Sequence, residues 1–139
     1  MRTLDVFSGE KIPPWYVTGF AESAGSFTFG RSGRQLLLVF AVRFPESNRP
    51  LLESIRRFFR AGRIYGAGPG CYYRINRPTE LLRVVDHFDR HPLRGEKRSV
   101  YRVWREMVYL KATHHGSRPP KRLDDLARKL SRTVRKGEE

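Results

Sequence analysis

Hydrophobic positions along the chain follow two spacings, and these spacings predict an alternation of helices and strands. Apolar residues that recur every three to four positions indicate helices with one buried face. Segments that alternate between apolar and polar residues, or that are rich in β-branched and aromatic residues, indicate strands. The helical segments are residues 51–59, 81–88, 100–110 and 123–134. The strand segments are residues 26–31, 36–44, 62–65 and 71–76.

A further helix is predicted for residues 14–24. Pro13 and Pro14 suit its first turn, and Gly25 follows it, where helices often end on a left-handed residue. Gly19 and Ser23 are four residues apart and therefore share one face, on which another backbone can come close. On pattern alone, a core helix that tolerates one glycine is favoured over an interface helix.

Residues 14–91 therefore have the order α-β-β-α-β-β-α, and the predicted fold class is α+β. Two hairpins form one four-stranded antiparallel sheet with helices on one face. In the predicted strand at residues 36–44, the even-numbered residues make the larger core face. These residues are Leu36, Leu38, Phe40, Val42 and Phe44.

Charge changes the picture because it is abundant and unevenly placed. The chain carries 28 Lys and Arg against 14 Asp and Glu, a net charge of +14, and its pI is near 10.9. Residues 1–46 carry five basic and four acidic side chains, whereas residues 93–139 carry fourteen and six. This balance favours a polyanionic partner, and arginine, the commoner cation, suits bidentate contacts to phosphate and guanine. A basic surface that serves only solubility is the alternative.

The sheet face without helices offers a route to such a partner. A β-ribbon can enter the major groove of B-DNA, and alternation directs about every second side chain to the bases. This face is predicted to carry Arg43, Arg63, Tyr65, Tyr72, Arg74 and Asn76. The alternative is an ordinary solvated polar face.

We assign residues 1–112 to one domain and residues 113–139 to a linker and a basic C-terminal amphipathic helix of the same domain. The helix either packs on the core or lies along DNA. The chain has no apolar run long enough to span a membrane, and residues 1–5 lack the apolar core of a signal peptide. These features predict an intracellular protein, cytoplasmic or nucleoid-associated, or one inside an organelle.

Few residues suggest other chemistry. One cysteine, Cys71, excludes an internal disulfide and a cysteine-based zinc cluster. His87 and His91 have a spacing that can hold zinc on a helix, but no third ligand is evident, so a structural role is favoured. No nucleophile elbow or Walker loop is present. Trp15 and Trp104 are expected in the core.

The segment Val17-Thr18-Gly19-Phe20-Ala21-Glu22-Ser23-Ala24-Gly25 resembles the nine-residue motif of the LAGLIDADG homing endonucleases. The resemblance extends over about residues 14–112, and over this range the chain is similar to the single-motif members of the family. It implies an αββαββα core with a saddle-shaped sheet, a homodimer through the motif helix, and metal-dependent cleavage of a long pseudo-palindromic duplex site. The implied interface residues are Thr18, Gly19, Glu22 and Ser23. The implied DNA-binding residues are Arg31, Arg34, Gln35, Arg43, Arg63, Tyr65, Tyr72, Arg74 and Asn76.

The resemblance fails at the group that does the chemistry. The essential acid of the family is the eighth motif residue, and here that position is Ala24, which has no oxygen to offer Mg²⁺. Glu22 points about 200° around the helix from Ala24 and is a poor substitute. Glu46 stands where the family commonly has glutamine, and Lys97 falls at the position of a catalytic-site lysine. Glu46 as a ligand of a relocated metal is the less favoured alternative.

The expected function is therefore sequence-specific duplex DNA binding by a homodimer with little or no cleavage. Two alternatives stay open. One is an RNA-binding splicing helper, since some members of the family resemble maturases. The other is a regulator that binds DNA without cutting it.

Overall fold

The computed structural model describes residues 11–114 and 121–138. Residues 1–10 and most of the predicted linker (residues 115–120) lie outside the described part of the chain. The elements in chain order are α1 (Pro14–Ala24), β1 (Gly25–Ser32), β2 (Gln35–Pro45), a short 3₁₀ turn (Glu46–Asn48), α2 (Arg49–Phe59), β3 (Arg63–Ala67), β4 (Gly70–Ile75), α3 (Pro78–Arg90), α4 (Lys97–Thr113) and α5 (Lys121–Glu138). The predicted α+β class and the order of its elements are confirmed.

The four strands form one antiparallel sheet in the order β1-β2-β4-β3. On the helical side, Phe40 lies between Phe27 and Ile75 on the neighbouring strands, and all three are buried. The predicted core face of β2 is confirmed. Val39 and Ala41, expected on the other face, are also buried, because β2 is central and is flanked on both sides by paired strands.

The start and the end of α1 have different causes. Pro14 occupies the first turn, as predicted. Gly25 was expected to be left-handed, and this expectation is wrong, since its φ is −86° and it begins β1 in an extended conformation. A Cβ on Gly25 would lie 3.0 Å from the carbonyl oxygen of Ala21 and 3.1 Å from the Ala21 Cβ. Glycine is therefore favoured here by the close approach of the last helical turn.

Aromatic side chains fill the space between the sheet and the helices. The Phe27 ring lies 5.1–5.3 Å, between centroids, from four other rings. These belong to Phe40, Phe88, Tyr101 and Trp104. Trp104 is fully buried, and its indole N–H donates to the carbonyl oxygen of Thr28 at 3.0 Å. This bond ties α4 to β1.

The C-terminal helix packs on the core, which decides between the two placements left open by its sequence. Leu123, Leu126, Ala127 and Leu130 of α5 are each at most 1% exposed. Its described basic residues Lys121, Arg122, Arg128, Lys129 and Arg132 are exposed to solvent. Across the described residues, no helix has the length and apolar character needed to cross a membrane.

Candidate nucleic-acid interface and active site

The side of the sheet away from the helices, here called the open face, carries two adjacent rows of side chains that cross the strands. In the first row Arg43, Tyr72 and Tyr65 are direct neighbours on β2, β4 and β3. The guanidinium carbon of Arg43 lies 4.2 Å from the centroid of the Tyr72 ring, a cation–π contact that fixes the arginine. In the second row, Arg74 lies directly opposite Arg63. Three arginines are thus close together and exposed.

No carboxylate neutralises this cluster from within the sheet. The four strands, all within the described residues, contain no Asp or Glu. Like charges directly opposite each other on paired strands destabilise a sheet, so the Arg63 and Arg74 pair has a cost in the free protein. A polyanion on the open face would relieve that repulsion.

The nine predicted DNA contacts do not all lie on this face. Those at open-face positions are Gln35, Arg43, Arg63, Tyr65, Tyr72 and Arg74, while Arg34 lies in the β1–β2 turn and Asn76 follows the end of β4. Arg31 lies on the helical side, because it pairs with buried Leu36, and it forms an ion pair with Asp124 of α5 at 3.4 Å. The side-chain oxygen of Gln35 accepts a hydrogen bond from Lys111 of α4 at 3.1 Å.

The predicted catalytic position lies at the end of α1, next to Lys97. The Lys97 ammonium donates to the carbonyl oxygen of Ala21 at 3.0 Å, one turn before Ala24. Burial lowers the pKa of Lys97, and the nearby Glu22 carboxylate opposes that shift. The structure therefore brings Lys97 and Ala24 to the same helix end. Ala24 is half-buried against the core and supplies no metal ligand.

Glu22 holds the loop that precedes α4. Its carboxylate accepts hydrogen bonds from the backbone N–H groups of Arg94 and Gly95, the latter at 3.1 Å. A Cβ on Gly95 would lie 2.9 Å from a Glu22 carboxylate oxygen, so a larger residue there would require the Glu22 side chain to shift. The Glu22 carboxylate thus binds a loop of its own chain and helps to position Lys97, which begins α4. Sequence spacing had given no signal for this contact with a loop more than seventy residues away.

The exposed ridge of α1 is aromatic. Gly19 and Ser23 are exposed, as an interface would require. Thr18, also expected at the interface, is buried. Trp15 was expected in the core, and this is wrong, since it is 54% exposed, and Tyr16 is 49% exposed. Trp15 belongs to the first turn, where its ring makes an edge contact with the His91 ring.

Glu46 does not offer a ready metal ligand. Its two oxygens accept hydrogen bonds from Arg49 at 2.6 and 3.1 Å. This contact lowers the pKa of the Glu46 carboxyl. Among the described residues, no group of three His, Cys, Asp or Glu side chains is placed to hold a metal ion. The resemblance to LAGLIDADG endonucleases implies a divalent metal, and the described residues of one chain do not supply a set of ligands for it.

His87 has a structural environment, which supports the role favoured from sequence. The Thr18 hydroxyl donates to the carbonyl oxygen of His91 at 2.8 Å. Since that hydroxyl has one proton, the His87 Nε2, 3.0 Å from the same oxygen, must donate to it. Burial lowers the pKa of His87 to about 4, with a smaller contribution from His91.

Comparison with known proteins agrees with this geometry. The sequence model of the family described as LAGLIDADG endonuclease matches residues 17–108. An uncharacterised 50.9 kDa protein in ND4 intron 1 of Podospora anserina is 30% identical over 109 residues, which are 71% of this chain and 24% of that protein. A probable intron-encoded DNA endonuclease 1 of Mycosarcoma maydis is 29% identical over 105 residues, 69% of this chain and 38% of that protein. The chain thus spans well under half of either relative.

Solved structures show the same fold. I-SmaMI bound to an uncleaved DNA target with calcium ions matches with a TM-score of 0.78 and 26% identity, over 88% of this chain and 46% of that one. The homing endonuclease I-TnaI matches with a TM-score of 0.76 and 22% identity, over 91% of this chain and 99% of that one. Together with the match of the family model to most of the chain, these findings show that the chain belongs to the LAGLIDADG homing endonuclease family, whose members bind DNA and cleave it.

Proposed function

We propose that this chain binds a specific duplex DNA through the open face of its sheet and cleaves it weakly or not at all. The observation that carries the proposal is the cluster of Arg43, Arg63 and Arg74 on strands that contain no carboxylate. A sheet can enter the major groove, where arginine recognises guanine. The DNA-bound relatives make duplex DNA the first ligand to test. From such a target we infer that the protein acts inside the cell.

The binding unit is a homodimer formed through α1. Its exposed ridge presents Trp15, Tyr16, Gly19 and Ser23, and a Cβ on Gly19 would meet no atom within 4 Å. Large aromatic side chains around small residues suit close packing of two helices. A two-fold axis at this ridge predicts a pseudo-palindromic site of about two helical turns.

Weak cleavage follows from the end of α1. Ala24 removes the carboxylate that the family resemblance implies there, and Glu46 is engaged with Arg49. Lys97 remains in place to contact a phosphate. The chain then keeps the cation of the site without the acid that would hold a divalent metal.

Two experiments test the proposal. Selection from a random duplex library, at about 150 mM salt without metal, should enrich a pseudo-palindrome bound by two copies of the chain. Binding that enriches nothing and collapses as salt rises would contradict specific recognition. It would favour the RNA-binding alternative if structured RNA is bound more tightly. An enriched site beside a promoter would favour the regulator.

The second experiment is strand cleavage of the selected duplex in Mg²⁺. The unaltered chain should leave the duplex intact, and Ala24→Asp should introduce cleavage. Robust cleavage by the unaltered chain would overturn the proposed loss of activity. Inactivity of Ala24→Asp would show that a second position, with Glu46 the first to examine, has also lost its role.

A further inference from the structure

The open face has two chemically different parts along the strands. The inner segment, defined as Arg43, Arg63, Tyr65, Tyr72 and Arg74, is charged and aromatic. The hairpin segment, defined as Thr28, Gly30 and Leu37, lies nearer the β1–β2 turn and is uncharged. Leu37 is 41% exposed although it is apolar.

We propose that each half-site is read in two parts, guanines by the inner segment and thymine methyl groups by the hairpin segment. This inference rests on the proposed DNA binding and adds the base preferences. Arginine recognises guanine through its N7 and O6 acceptors, and apolar groups contact the thymine methyl. The two segments therefore match different base pairs.

The arginines of the inner segment are prepared for this role. Arg43 is held over Tyr72, so less side-chain freedom is lost when it binds. Arg63 and Arg74 are exposed, lie directly opposite each other and have no ion-pair partner in the described part of the chain.

The hairpin segment is held by helices on the other side of the sheet. Trp104 of α4 donates to the carbonyl oxygen of Thr28, and Lys111 of α4 donates to Gln35. Gly30 lies directly opposite Leu37 on β1 and adds no side chain. Leu37 is therefore a partly exposed apolar side chain on a fixed strand, which suits contact with a methyl group rather than a hydrogen bond.

The strand direction orders the two parts in the half-site. β1 leaves the end of α1 at Gly25 and reaches its turn after Ser32. Seven steps of about 3.3 Å give roughly 23 Å, which corresponds to about seven base pairs at about 3.4 Å each. In a dimer joined through α1, guanines should lie in the inner half of each half-site and thymines in the outer half.

The test is selection from a random duplex library with three proteins: the unaltered chain, Arg74→Gln and Leu37→Ser. The unaltered chain should give guanine preferences inside and thymine preferences outside. Arg74→Gln should lose on the order of tenfold preference at an inner guanine only. Leu37→Ser should lose a few-fold preference at an outer thymine only. Both exposed substitutions leave the fold intact, which circular dichroism would check.

The outcomes separate this inference from the proposed function. An enriched duplex whose inner positions are indifferent, or whose preferences move together in both variants, would overturn the division while specific DNA binding stands. Enrichment of no duplex by the unaltered chain would overturn both. Loss confined to the predicted part in each variant would support the division.

Discussion

The arginines on the two sides of the sheet differ in their neighbours. On the helical side, seven form ion pairs with carboxylates. These pairs are Arg31–Asp124, Arg49–Glu46, Arg56–Glu53, Arg90–Asp86, Arg105–Asp89, Arg122–Glu106 and Arg128–Asp125. On the open face, within the described residues, Arg43, Arg63 and Arg74 have no carboxylate partner. Net charge alone thus gives no location for an interface, whereas the placement of the acids does.

The difference also separates stability from binding. Exposed ion pairs contribute little, with a median of about 0–1 kcal/mol, so the paired arginines neither fix the fold nor attract a polyanion strongly. The unpaired arginines keep their full charge for a ligand.

The largest effect is expected for duplex affinity. The double variant Arg63→Gln and Arg74→Gln should weaken binding of the selected duplex by about 4 kcal/mol, roughly a thousandfold, because each arginine contributes about 1–3 kcal/mol. Its free energy of unfolding should rise by a few tenths of a kcal/mol, because a like-charge pair is removed. Fluorescence anisotropy and urea denaturation measure the two quantities.

The matched control removes the same charge from the helical side. Arg98 and Arg102 of α4 are exposed and form no ion pair within the described residues. The double variant Arg98→Gln and Arg102→Gln should change duplex affinity less than tenfold. A loss equal to that of the open-face variant would show that only total charge matters.

The second effect is the pH dependence of the free energy of unfolding, which we expect from His87, a buried and uncharged histidine on the helical side. His87 titrates near 4 in the folded chain and near 6.5 when unfolded. The unfolded chain therefore binds more protons between these values, so the free energy of unfolding falls as pH falls from about 6.5 to 4, by about 3 kcal/mol at most. His91 and Asp86 face His87 with opposite influences, and the bond to Thr18 requires Nε2–H.

Urea denaturation at pH 7 and pH 5 would measure this slope, with His87→Gln as the control. The variant should lose part of the pH dependence even if it is less stable at both values. An identical slope in both proteins would contradict a neutral buried His87.

The third effect is at Glu22. Glu22→Ala leaves the N–H groups of Arg94 and Gly95 without their carboxylate and should lower the free energy of unfolding by about 2 kcal/mol. Glu22→Gln keeps an acceptor oxygen and should lose less than half of that. Equal losses in thermal denaturation would mean that the negative charge, rather than the hydrogen bonds, is responsible.

The smallest effect is expected for Arg31, the predicted DNA contact that lies on the helical side. Arg31→Gln removes its ion pair with Asp124 and should lower stability by less than about 1 kcal/mol. Duplex affinity should change about twofold or less. A tenfold loss of affinity would show that Arg31 swings to the open face when DNA binds.

Local patterns predicted the elements and the open face well, because alternation along β2 and β4 fixes which side each residue occupies. Arg43, Tyr72 and Arg74 could be placed in this way. Arg31 was assigned to the DNA interface although alternation from Phe27 and Phe29 already places it on the helical side, where it pairs with Asp124 of α5. The exposure of Trp15 was missed because hydrophobicity alone does not show whether a helical face is covered within one chain.

Long-range contacts could not be predicted from the sequence patterns. The Glu22 bonds to the loop before α4 join residues more than seventy positions apart. The extended conformation of Gly25 depends on how β1 leaves the last turn of α1. The family resemblance supplied the positions of Ala24 and Lys97, and the structure brings both to the end of α1.

The most direct measurement uses the unaltered protein and reads each arginine separately. An arginine-selective dicarbonyl reagent would be applied to the free protein and to its complex with the selected duplex, and modification would be quantified by mass spectrometry. Arg63 and Arg74 should be protected by DNA, while Arg98 and Arg102 react as in the free protein. Protection of Arg98 and Arg102 with Arg63 and Arg74 still reactive would contradict the open face as the DNA interface.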